Sequence, residues 1–72
     1  MTIITVHQSL SFDTIIKEHG CRMKAESYMI GILRDHDWPQ DDAVDAARNG
    51  SPVLVRDNGD DETIEIRETP AA

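Results

Sequence analysis

The stretch PVLVRDNGDDETIEIR, residues 52–67, decides how this chain folds. Thr63, Ile64, Glu65, Ile66 and Arg67 alternate polar with apolar, the period of a strand that buries one face. Pro52 to Arg56 carries the apolar run Val53, Leu54 and Val55, a second strand. Between them Asn58 and Gly59 both tolerate the positive φ that a tight hairpin turn demands. The expectation is a C-terminal β-hairpin, with Ile64 and Ile66 turned toward a core and Glu65 and Arg67 toward water or a second subunit.

Working back from the hairpin, Asn49 and Gly50 offer residues that accept a left-handed helix stop, so a helix should end there. Its start resembles a capping box, Asp37 followed three residues later by Gln40, with Pro39 in the first turn where a missing N–H does no harm. Its apolar side is thin: Val44 with Ala43, Ala46 and Ala47. Before it, Ala25, Met29, Ile32, Leu33 and His36 share one stripe at helical spacing, which predicts the longest helix over Met23 to about His36. A shorter helix is expected between Ser11 as cap and Gly20 as stop, with Leu10 and Ile15 spaced as a hydrophobic staple. Ile3, Ile4, Thr5 and Val6 form a β-branched run apolar on both faces, read as a central strand. The order is strand, three helices, hairpin. This predicts an α+β domain spanning residues 1–72, the helices on one face of a three-stranded sheet, with 67–72 as a frayed tail.

Seventy-two residues, 39% of them apolar and only three aromatic, can fill one thin core. The single Cys21 excludes an internal disulfide and a cysteine-paired zinc finger, and it suits a reducing cytosol. Met1 to Leu10 lacks the basic start and long apolar stretch of a signal peptide.

Acids outnumber bases 14 to 7, and the excess is lopsided. Residues 1–34 hold three acids against four bases, whereas residues 35–72 hold eleven against three arginines. Asp35, Asp37, Asp41, Asp42 and Asp45 crowd the start of the last expected helix; Asp57, Asp60, Asp61 and Glu62 crowd the hairpin turn. Helix starts and turns account for part of this, since aspartate complements a helix dipole and favours turns. Asp41 and Asp45 go beyond that account, because like charges one turn apart repel. Their separation of about 6 Å is close to that of phosphates along one nucleic-acid strand. Such a net charge opposes direct binding to nucleic acid or to an anionic membrane and favours a basic partner.

Motifs for chemistry are missing. There is no phosphate-binding glycine loop, nucleophile elbow or zinc-protease helix, so no enzyme activity and no cofactor is expected. His19, Cys21 and His36 are metal-ligand types without the paired spacing of a metal site; the simpler expectation is a histidine at a helix end and a small buried apolar cysteine. Asp35 and Asp37 begin like a calcium loop, but Pro39, Gln40 and Ala46 stand at positions that would need a ligand, a glycine and a glutamate. Ile15 to Leu33 outlines a helix-turn-helix in which Glu26 and Ile16 occupy positions usually apolar and small. Trp38 is expected in the core, and becomes a contact anchor if exposed.

Two resemblances follow. From Ala46 to Ile66, a helix end, Asn49–Gly50, the run Val53–Val55 and a turn at Gly59 resemble antitoxins of the Phd/YefM type. That likeness implies a dimeric DNA-binding regulator, although Asp57, Asp60 and Asp61 stand where such a protein has a basic turn. In size, acidity and lack of catalytic machinery the whole chain also resembles phage-encoded anti-CRISPR proteins, several of which mimic DNA. This second likeness implies an inhibitor whose carboxylates occupy the basic channel of a CRISPR effector complex in a bacterial cytoplasm. The nine acids named above, from Asp35 to Glu62, are the residues expected to meet such a partner.

Overall fold

The computed structural model describes residues 2–10, 12–56 and 61–69. Its elements are β1 (Thr2–Ser9), β2 (Phe12–His19), α1 (Arg22–Asp35), α2 (Gln40–Asn49), β3 (Val53–Arg56) and β4 (Glu62–Thr69). The four strands form an antiparallel sheet in the order β2-β1-β4-β3, so the first and last strands lie side by side at its centre. The fold class is α+β as expected, with two helices and four strands where three of each were anticipated.

The difference lies in residues 12–19. A helix was expected from Ser11 to Gly20; the chain forms β2 instead, paired with β1 from Ile3↔His19 to Ser9↔Phe12. Thr14, Ile15 and Ile16 are β-branched, which restricts them in a helix and suits a pleated surface. Two adjacent isoleucines also give a helix no continuous face, whereas a strand sends them to opposite sides. Ser11, the expected cap, lies outside the described residues. With Ile15 on a strand, the helix-turn-helix outline is gone.

Strand alternation assigns the two faces. Thr5 lies opposite Ile66 and His7 opposite Ile64, and all four face the helices; Val6 lies opposite Glu65 and Ile16 on the uncovered face. Ile64 and Ile66 point to the core, as their period required. They pack with Val55 against Ala25, Met29 and Leu33 of α1 and Ala43, Ala46 and Ala47 of α2. The three alanines let α2 approach closely, which suits a chain with few large side chains to bury.

Helix ends follow backbone chemistry that differs in part from expectation. Asp37 does not cap α2. It adopts a left-handed φ of 65° just after α1, where Trp38 N–H donates to Leu33 O at 3.1 Å and Asp37 N–H to Arg34 O at 3.0 Å. This is a Schellman closure, and it brings Trp38 against the core beside Leu33. The link to α2 is so short that Asp37 serves α1 instead; Pro39 is the N-cap and contributes no side-chain bond. Gly50 stops α2 as anticipated, at φ 70° with its N–H on Ala46 O at 3.0 Å.

Arg67, Glu68 and Thr69, expected in a frayed tail, are paired in β4 instead, and Thr69 Oγ1 donates to Thr2 O at 3.2 Å. Residues 70–72 and the Asn58–Gly59 turn lie outside the described residues. Among those described, no helix is long and apolar enough to cross a membrane.

Candidate functional site

Five of the nine expected site residues gather around the α1–α2 link. Asp35 closes α1, Asp37 occupies the turn, and Asp41, Asp42 and Asp45 belong to the first two turns of α2; all five are exposed. Among the described residues none of these carboxylates makes an ion pair, and Arg48 leaves Asp45 unmatched. Asp41 and Asp42 gain from the helix dipole at this end.

Across from them, the start of β4 presents one acid and hides the next. Asp61 is exposed at φ 48° and borders an open groove of about 300 Å³ with Gln8, Ser9, Leu10 and Thr14. Glu62 is only 4% exposed. Its Oε2 accepts from His7 Nε2 at 2.7 Å and lies 3.2 Å from His36 Nε2. Glu62 was expected on the binding surface; two imidazoles take it out of contention, because a buried carboxylate already matched by donors cannot stand in for a phosphate. Asp57 and Asp60 lie outside the described residues.

His36, between Asp35 and Asp37, meets Glu62, so the α1–α2 link and the β4 start are neighbours; Asp61 itself borders the groove formed with Gln8, Ser9, Leu10 and Thr14. The histidine pairing had no sequence signal, since His7 and His36 lie 55 and 26 positions from Glu62 in a pattern no motif describes.

Cys21, expected as a small buried group, is exposed just before α1, and His36 follows the helix, about 22 Å away at the rise of a helix. His19 is engaged elsewhere: Nε2 lies 3.0 Å from buried Thr5 Oγ1, and its ring meets Tyr28 at 5.2 Å. Lys17 Nζ stands 4.8 Å over the Tyr28 ring. Partial burial, and then the nearby Lys17 charge, hold the His19 imidazole below its usual pKa. Among the described residues no group of histidine, cysteine and acidic side chains is arranged to hold a metal ion.

Trp38 is half-buried, and its Nε1 donates to Val55 O at 3.1 Å, which makes it a core residue and not a contact anchor. Exposed large apolar side chains occur elsewhere: Leu10, Ile15, Ile16, Met23 and Leu54. Among the described residues that line the groove, Asp61 is the only ionisable one. In comparison with known proteins, no family model, no curated protein and no solved structure matches this chain.

Proposed function

We propose that this protein is a non-enzymatic acidic inhibitor whose carboxylates take the place of DNA phosphates, most concretely an anti-CRISPR protein that blocks target-DNA binding by an effector complex. The observation that carries the reading is the set Asp35, Asp37, Asp41, Asp42 and Asp45, exposed around the α1–α2 link and unmatched by any cation among the described residues. Exposed carboxylates that no cation among the described residues matches remain open to a basic partner. They speed encounter and meet Lys or Arg side chains that otherwise grip phosphates. The CRISPR assignment rests on the resemblance in size and charge; the phosphate-mimic chemistry rests on the aspartates.

The test is competition for target DNA by purified effector complexes, with the wild type against a triple variant, Asp41→Lys, Asp42→Lys and Asp45→Lys. Each reversal sets like charges face to face, at a cost of order 1 kcal/mol or more, so the triple variant should inhibit about a hundredfold less or worse. Inhibition should also weaken as salt rises. A folded triple variant with undiminished inhibition refutes this surface, and failure to bind any effector complex refutes the CRISPR assignment. Operator binding in a gel-shift assay would instead support a regulator of the antitoxin type.

A further inference from the structure

We propose that the free edge of β2 is a homodimer interface, at which a second copy adds its own β2 antiparallel and extends the sheet across a two-fold axis at Ile15. The two edges of this sheet are unlike. β3 is short at four residues, follows Pro52 and is irregular between Leu54 and Arg56, all devices that discourage pairing. β2 has eight residues and no proline. It exposes Ile15 at 46% and Ile16 at 63%, one on each face. A long edge strand with apolar residues on both sides is a template for another strand.

Charge selects the occupant and the register. β2 carries Asp13, Lys17 and Glu18. Residues directly opposite in an antiparallel ladder share a face, so the two-fold axis must pass through a residue; centring on Ile16 would set Asp13 opposite His19 and Ile15 opposite Lys17 of the second copy, pairing no opposite charges. Centring the pair on Ile15 gives up one residue and sets Asp13 opposite Lys17 of the second copy, again twice by symmetry, with the two Ile15 side chains in contact between them. This arrangement keeps both helical layers on one side of the joined sheet. It also brings together the halves of the chain that carry a surplus of one positive charge, three acids against four bases, and leaves the acidic halves outward.

Sedimentation velocity up to about 1 mM tests this, a range that detects even weak self-association. Wild type should sediment at twice the chain mass. Asp13→Lys alone faces Lys17 with lysine and Lys17→Glu alone faces Asp13 with glutamate, so each should raise the dimer Kd by about tenfold or more. Mixed in equal amounts, the two variants present only opposite charges to each other and should associate again. An isotope-filtered NOE between Ile15 side chains of labelled and unlabelled wild type gives a readout that needs no variant. A monomeric wild type, single reversals that leave the dimer intact, or a mixture that stays monomeric overturns the proposal. Neither reversal touches the aspartates of the α1–α2 corner, so the result is independent of the inhibitor reading.

Discussion

Substituting alanine for Gly50 should destabilise the protein through two separable effects. At φ 70° an L-residue carries a strain of about 1–2 kcal/mol. The new Cβ would also lie 2.7 Å from a guanidinium nitrogen of Arg22, which must move away. That same nitrogen donates to Ala47 O at 3.3 Å and Arg48 O at 3.0 Å, closing the end of α2, while Arg22 also pairs with Glu26 and Glu68. Losing the two carbonyl bonds costs about 0.5–1.5 kcal/mol each, whereas alanine returns about 0.4–1 kcal/mol by stiffening the unfolded chain. The net loss is about 2–3 kcal/mol, a fall in Tm of roughly 10–20 °C for a domain of this size. Urea unfolding followed by Trp38 fluorescence measures it. Repeating Gly50→Ala in an Arg22→Met background isolates the displaced guanidinium: there the cost should shrink by about 1 kcal/mol, leaving backbone strain. A loss under about 0.5 kcal/mol, or an equal loss in both backgrounds, would refute this account of the α2 end.

Glu62→Gln keeps the shape of the buried side chain but removes the charge that faces His7 and His36, so it should cost about 1–3 kcal/mol in urea unfolding. Because Glu62 is buried, the same variant should leave inhibition of DNA binding unchanged, unlike the aspartate reversals on α2. Protonation of His19 is opposed in the folded state, so the unfolded chain binds its proton more readily, and stability should decline as pH falls below about 6.5. His19→Gln should flatten that part of a Tm-against-pH curve; an unaltered curve would rule it out. Trp38→Phe keeps most of the packing but leaves Val55 O without its indole donor, an expected loss of about 1–2 kcal/mol by thermal melt.

What could be read from sequence divides along local and non-local lines. The α1 stripe of Ala25, Met29 and Leu33, the alternation of Ile64 and Ile66, and the stop at Gly50 each depend on neighbours within a turn or a pleat. All three occur where the pattern put them. β2 was misread because Leu10 and Ile15 imitate a helix staple, while the deciding factor is the open edge of β1, which offers backbone partners that no local window contains. The acidic residues show the same division. Exposure of Asp41, Asp42 and Asp45 follows from the polar side of an amphipathic helix. That Asp61 faces water while adjacent Glu62 is enclosed depends on His7 and His36 arriving from two other elements.

The placement of β1 beside β4 has a kinetic consequence. The central ladder joins Thr2 to Thr69 and Gln8 to Thr63, so its contacts span nearly the whole chain. Loop closure over such separations slows folding, and during synthesis the middle of the sheet cannot zip until residues 62–69 have left the ribosome. Until then β1 and β2 can form only a hairpin, which is marginal alone, with Ile3, Ile4 and Val6 uncovered. Nascent chains should therefore depend on holding factors, and truncation inside β4 should yield insoluble material instead of a smaller stable domain.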